Sequence, residues 1–229
     1  LSPLLVQAAE PLRIATDATY PPFEYVDTAG KVAGFEVDFA YAVCKAMKTL
    51  CEVVNQPWDG LIPGLQARKY DAIMSSMNIT DERRKVVAFS KVYYLMQNRF
   101  VARKGVALTP DLAGKVIAVQ TGTPQDRFVT QQYKQATVKR YVNAQDPMLE
   151  LTAGRADFTF GNTVQLQKGF LDTANGKAFA FTGPLFDGRK DKVLGEGVAV
   201  ALRKQDSELK ARFDQAIDQV KQSGEYAAL

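Results

Sequence analysis

The feature that most limits how this chain can fold is a pattern that occurs twice. Leu65-x-Ala67 followed by Asp71-Ala72-Ile73-Met74-Ser75-Ser76 returns as Leu151-x-Ala153 followed by Asp157-Phe158-Thr159-Phe160-Gly161-Asn162. In each copy a helix ends, an acid opens a short apolar strand, and the strand delivers small polar residues at its carboxyl end. Ligands of open α/β sheets sit just beyond those ends. Two copies therefore predict two similar α/β lobes facing each other across a cleft.

The rest of the chain alternates in the same way. Apolar runs predict strands over 12–16, 51–56, 72–75, 115–119, 139–141, 158–160 and 197–201, and helices over 35–47, 62–68, 124–135, 147–153 and 207–223. Segments 89–97 and 181–188 lack helical periodicity, the second punctuated by Gly183-Pro184 and Gly188, so the chain is expected to cross between lobes there. That divides it into a first lobe over 1–94, a second over 95–185, and a return to the first over 186–229.

Several function classes are excluded early. No stretch approaches the roughly 18 apolar residues of a membrane-spanning helix. The net charge of +4 comes from interspersed Lys and Arg without a basic run, which leaves nucleic-acid binding unsupported. Histidine is absent, and with it the commonest general base and metal ligand, so no metal or cofactor is expected.

Cys44 and Cys51 are the two cysteines. On one continuous helix their Cα atoms would lie about 10 Å apart, beyond the roughly 7 Å a disulfide spans. They can pair only if the helix ends near Met47 or Lys48 and the chain turns back; otherwise they are two free buried thiols. A disulfide would indicate an oxidising compartment. Leu4-Leu5-Val6-Gln7-Ala8 is similar to the tail of a signal peptide cut after Ala8.

Ser75 to Arg83 carries the clearest chemistry. A strand ends, Ser75, Ser76 and Asn78 form a polar turn, and Thr80 is placed to cap a helix beginning with Asp81 and Glu82. Arg83, in that helix's first turn, can hold a carboxylate bidentately while the turn's amides and hydroxyls take its remaining lone pairs. A surface Arg beside a polar turn is the plainer alternative.

Longer motifs widen the picture. They are Thr16-Asp17-Ala18-Thr19-Tyr20-Pro21-Pro22-Phe23, Gly34-Phe35-Glu36-Val37-Asp38-Phe39 with Val43-Cys44 and Met47, Trp58-Asp59-Gly60-Leu61-Ile62-Pro63, Asp71 to Arg83, and Thr121 to Gln125. Together with the cysteine pair they resemble, in order from Leu12 to Tyr226, the periplasmic polar amino-acid-binding proteins of ABC importers. Within these family 3 solute-binding proteins the similarity is to the lysine/arginine/ornithine- and histidine-binding branch.

The resemblance implies an α/β, two-lobed type II periplasmic-binding-protein fold, with two hinge strands and a ligand cleft. It implies capture and delivery of a polar, basic amino acid without catalysis, by a periplasmic monomer whose partners are importer membrane subunits and, in a sensory role, a chemoreceptor. By position, Arg83 takes the ligand α-carboxylate with the amide of Ser76, and Ser75, Ser76 and Asn78 surround the α-carbon. Asp17 receives a basic side chain against Tyr20 and Trp58, while Gln120, Thr123, Gln125 and Asn162 line the second lobe. The chemistry fits, because a Lys or Arg side chain needs a π-face for its stem and a carboxylate at its end.

Two residues depart from the family pattern. Asn162 stands where an Asp usually meets the α-ammonium, and Pro124 has no N–H to donate, leaving that role to Thr123. Opine-binding relatives resemble this chain in pairing Trp with Asn at the positions of Trp58 and Asn162, so arginine-derived opines form a second ligand class. A dehydratase on the same scaffold is the alternative of another kind, with Asp17 as its one obvious acid. The chain stops soon after Tyr226, a little short of the family's usual tail.

Overall fold

Ile14 and Ala15 are neighbours in sequence and both fully buried, which a strand permits only when each face of its sheet is covered. In the computed structural model, which describes residues 10–229, that strand is β1 (Leu12–Thr16). The signal-like segment 4–8 lies outside the described residues. β1 pairs in parallel with β5 (Cys51–Asn55) and β6 (Ala72–Ile73), and β13 (Ala201–Leu202) and β7 (Ala88–Phe89) complete a five-stranded sheet. A second five-stranded sheet is ordered β10 (Thr137–Tyr141), β9 (Val116–Gln120), β11 (Phe158–Asn162), β8 (Gln97–Arg103), β12 (Phe179–Asp187).

Ile14 packs with Phe39, Val43 and Phe213 from α1 (Phe35–Ala46) and α7 (Ser207–Gln222). Ala15, on the opposite face, joins Leu61 and Leu65 of α2 (Leu61–Gln66), while α3 (Asp81–Arg84) stands at the carboxyl edge. The second sheet repeats this arrangement. Ile117 packs with Phe128 of α4 (Pro124–Gln132), and Ala118 with Leu151 of α5 (Asp146–Thr152) and Leu166 of α6 (Thr163–Leu166). A short α8 (Glu225–Ala228) follows α7.

The repeated acid has the same task in both lobes. Asp71 Oδ2 accepts from Arg13 N–H at 3.1 Å, and Asp157 Oδ2 from Val116 N–H at 2.8 Å. Each carboxylate thus ties the strand it opens, the middle one of its sheet, to the neighbour beside it, β1 or β9.

The chain crosses between sheets after β7 and again after β12. The two crossings bond to each other, Tyr93 N–H to Val198 O at 3.0 Å and Val198 N–H to Tyr94 O at 2.8 Å. Segment 181–188, expected to be the second crossing, is instead largely the end of edge strand β12. Gly183-Pro184-Leu185 forms a bulge between the Thr182–Phe100 and Phe186–Asn98 pairs, a place where an edge strand tolerates proline. The crossing starts at Gly188, where a Cβ would lie 1.6 Å from Gly195 O. The strand expected at 197–201 accordingly shortens to Ala201–Leu202.

A meander of β2 (Thr19–Tyr20), β3 (Glu24–Val26) and β4 (Val32–Ala33) was not anticipated, since strands this short show no periodicity. The cysteine question is resolved by the end of α1. The helix stops at Ala46, Lys48 turns the chain at φ 53°, Thr49 N–H reaches back to Cys44 O, and Cys44 and Cys51 form a disulfide across 6.2 Å between Cα atoms. Among the described residues no helix is long and apolar enough to cross a membrane.

Candidate ligand-binding site

The carboxyl ends of both sheets face one cavity. From the first lobe it is lined by Asp17, Tyr20, Glu24, Trp58, Ser75, Ser76, Asn78 and Arg83, and from the second by Gln120, Thr123, Pro124 and Gln125; Met96 borders it from the first crossing.

Arg83 anchors one end. Thr80 caps its helix as expected, its hydroxyl accepting from Arg83 N–H at 3.3 Å. The Arg83 side chain is 6% exposed, lies 5.1 Å from the Trp58 ring centroid, and donates to Asn78 O at 2.8 Å and across the cleft to Gly122 O at 3.4 Å. Burial lowers its pKa to about 10, so it stays charged at neutral pH. It is a buried cation bonded only to neutral carbonyls. Such a charge is costly unless an anion joins it.

Asp17 and Glu24 present the opposite need. Asp17 follows β1 directly; Ser75 Oγ accepts from its N–H at 2.9 Å, Oδ1 accepts from Thr19 Oγ1 at 3.1 Å, and Oδ2 from Gln120 Nε2 across the cleft at 3.0 Å. Burial raises its carboxyl to about pKa 6. Glu24, on β3, is 1% exposed and accepts from Ser76 Oγ at 3.1 Å. Burial first, and the neighbouring Glu36 second, push it well above the usual carboxylate range. Among the described residues neither acid is bonded to a cation, and a positive ligand group would serve both.

The two lobes meet through few polar contacts. Besides the Gln120–Asp17 and Arg83–Gly122 bonds, Ala144 N–H donates to Thr19 Oγ1 at 3.2 Å, and Arg127 pairs with Glu82 outside the cavity.

Residues 12–229 match the family model of bacterial extracellular solute-binding proteins, family 3. The chain belongs to that family. It is 44% identical over 224 residues to the L-arginine-binding protein of Pseudomonas aeruginosa, covering 96% of this chain and 86% of that protein. It is 38% identical over 222 residues to the lysine/arginine/ornithine-binding periplasmic protein of Escherichia coli, covering 95% and 85%. Among solved structures, a Salmonella typhimurium periplasmic binding protein described for its high arginine specificity superimposes with a TM-score of 0.88 at 33% identity, covering 96% of this chain and 97% of that one. The relatives are named as binding proteins, not enzymes.

Most residues singled out in this family 3 sequence come together. Asp17, Tyr20, Trp58, Ser75, Ser76, Asn78, Arg83, Gln120, Thr123 and Gln125 all line the cavity. Asn162 does not. It is fully buried at the end of β11, where Oδ1 accepts from Val164 N–H at 2.8 Å and Gln165 N–H at 3.2 Å, capping α6. Two backbone donors fix the amide's orientation.

The hydroxyl of Thr123, expected to replace the donor lost at Pro124, is also committed. It donates to Gln120 O at 2.8 Å and accepts from Asp126 N–H at 3.1 Å, capping α4. Gln125 spends its Nε2 on Asn98 Oδ1 at 2.8 Å and the Met96 sulfur. Sequence reasoning missed Glu24 and Met96, because the strand and crossing that carry them had no readable pattern.

Proposed function

We propose that this family 3 protein captures a basic amino acid, arginine foremost, and delivers it to the membrane subunits of an ABC importer. The observation that carries this reading is the charge arrangement of one cavity. Among the described residues its wall holds a buried guanidinium without an anion and two buried carboxylates without a cation. An α-carboxylate on Arg83, an alkyl stem between Tyr20 and Trp58, and a cationic head at Asp17 and Glu24 would satisfy all three groups together. Ser75, Ser76 and Asn78 then surround the α-carbon, and Gln120, Thr123 and Gln125 close over it from the second lobe.

The disulfide and the periplasmic relatives support export through a signal peptide and action outside the cytoplasm. An additional role before a chemoreceptor would use the same closed lobes.

A second ligand class has one observation behind it. Because the Asn162 oxygen is consumed as a cap, the second lobe offers the α-nitrogen no acid, which favours ligands with a substituted α-nitrogen, such as arginine-derived opines. A thermal-shift screen of arginine, lysine, ornithine, histidine, glutamine and opines separates these readings. Arginine should raise the melting temperature most. A larger rise with an opine would transfer the assignment to that class, and no rise with any of them would remove the transport reading.

A further inference from the structure

Beneath the cavity floor, Ser76 stands between two buried carboxylates. Its hydroxyl lies 3.1 Å from Glu24 Oε2 on the cavity side and 3.3 Å from Glu36 Oε1 on the far side, where α1 packs. Glu36 does not line the cavity, yet it is well supplied with donors. Ser76 N–H lies at 3.2 Å, and the Tyr93 hydroxyl at 2.9 and 2.7 Å from its two oxygens. Glu24 has only Ser76 Oγ and, at 3.5 Å, Ser75 Oγ.

One hydroxyl proton cannot serve both acids. If both were ionised, Ser76 could donate to one and would leave its lone pair facing the other. With a proton on Glu24 every group is satisfied, because Glu24 donates to Ser76 Oγ and Ser76 donates to the Glu36 carboxylate. Among the described residues the surroundings supply no cation to change this. Asp17 after β1 adds negative charge; Tyr20 on β2, Tyr93 and Tyr94 on the first crossing and Tyr226 on α8 are neutral phenols whose titration burial pushes upward. Among the described residues Arg83 is the one cation on the cavity wall, and it is turned to Asn78 O and Gly122 O.

We propose that Glu36 is a positioning residue that, through Ser76, keeps a proton on Glu24 in the empty cavity, so that a cationic side chain expels this proton on binding while a neutral one does not. The Glu24 O–H bond breaks, the electron pair stays on the carboxylate facing the ligand cation, and the proton passes to solvent. The bound state holds fewer protons than the free state, so affinity for a cationic ligand rises with pH. Protonated Glu24 offers a neutral urea head both a donor and an acceptor, so that ligand keeps the proton in place. Discrimination between guanidinium and urea is thus set by a residue the ligand never touches.

This inference rests on the reading that the cavity takes a basic amino acid. It is tested by titration calorimetry of the full chain with arginine and with citrulline, its neutral isostere, in buffers of different ionisation enthalpy at pH 7.5. Asp17, whose carboxyl titrates near 6, is already ionised there and contributes little. The expected result is release of about one proton per arginine and almost none per citrulline, with arginine-over-citrulline selectivity rising by up to about tenfold per pH unit. Glu36→Gln, which keeps an acceptor for Ser76 and Tyr93 but removes the charge, should measurably cut the release, the remainder coming from the burial of Glu24 itself. A merely structural Glu36 would lower the melting temperature and leave the proton count unchanged.

Arginine binding without proton release by the wild-type protein, a count that needs no variant, would overturn the proposal, as would undiminished release in E36Q. Failure of arginine to bind at all would instead overturn the reading of the cavity as a basic amino-acid site, and this proposal with it.

Discussion

The two lobes share a plan and differ in what they show the ligand. In both, an Asp ties the strand it opens to the neighbouring strand, and the strand it opens ends at the cleft. In the first lobe a turn from Ser75 to Ile79 separates strand from helix, so Thr80 caps α3 and the serines face the cavity. In the second, α6 begins immediately after β11, and Asn162 must itself act as the cap. One missing turn withdraws a polar side chain from the wall. Among the described residues the first lobe carries the charge of the cavity, through Asp17, Glu24 and Arg83, while the second closes over it with two amides, one capping hydroxyl and a proline.

Substitutions can break this contrast, beginning where the effect should be largest. Arg83→Ala removes the buried guanidinium from any α-carboxylate ligand and should cost about 3–5 kcal/mol of binding by calorimetry, a loss of at least a hundredfold. Near-wild-type affinity would show that the carboxylate is held elsewhere. Asp17→Asn should weaken arginine by about 1.5–3 kcal/mol, the value of a charge-assisted hydrogen bond, and weaken glutamine much less. Equal losses would place the ligand head away from Asp17.

Asp17 also gives a pH signature of its own. Its carboxyl is raised to about 6 in the free protein, and a bound cation favours the ionised form, so arginine affinity should fall as pH drops from 7 to 5. In Asp17→Asn that part of the fall should vanish. An unchanged pH profile would separate Asp17 from the cationic head.

The smallest effect is expected in the second lobe. Asn162→Ala should lower stability by about 1 kcal/mol through the lost cap, seen as a drop of a few degrees in melting temperature, with arginine affinity changed by less than about threefold. A loss of a hundredfold would return Asn162 to the cavity wall and end the contrast between lobes.

Much of this was legible in the sequence because the central strands are buried on both faces and appear as continuous apolar runs. The Ser75 to Arg83 segment was legible for another reason, since strand end, cap and helix are consecutive. What escaped depended on pairing between distant segments. β12 was misread because Gly183-Pro184 punctuates a bulge as readily as an end, and Glu24 was missed because its three-residue strand exists only by pairing within a meander. Asn162 stood just before a helix and could have been read as a cap. Family position argued for the cleft instead, and local hydrogen bonding prevailed.

The charge arrangement is tested most directly by titrating the protein calorimetrically with L-arginine and with agmatine, which keeps the guanidinium and lacks the carboxylate. With Arg83 as the anion site and Asp17 and Glu24 as the cation site, arginine should saturate at one molecule per chain and agmatine should bind at least a hundredfold more weakly. Equal binding of the two, or binding of neither, would contradict the account.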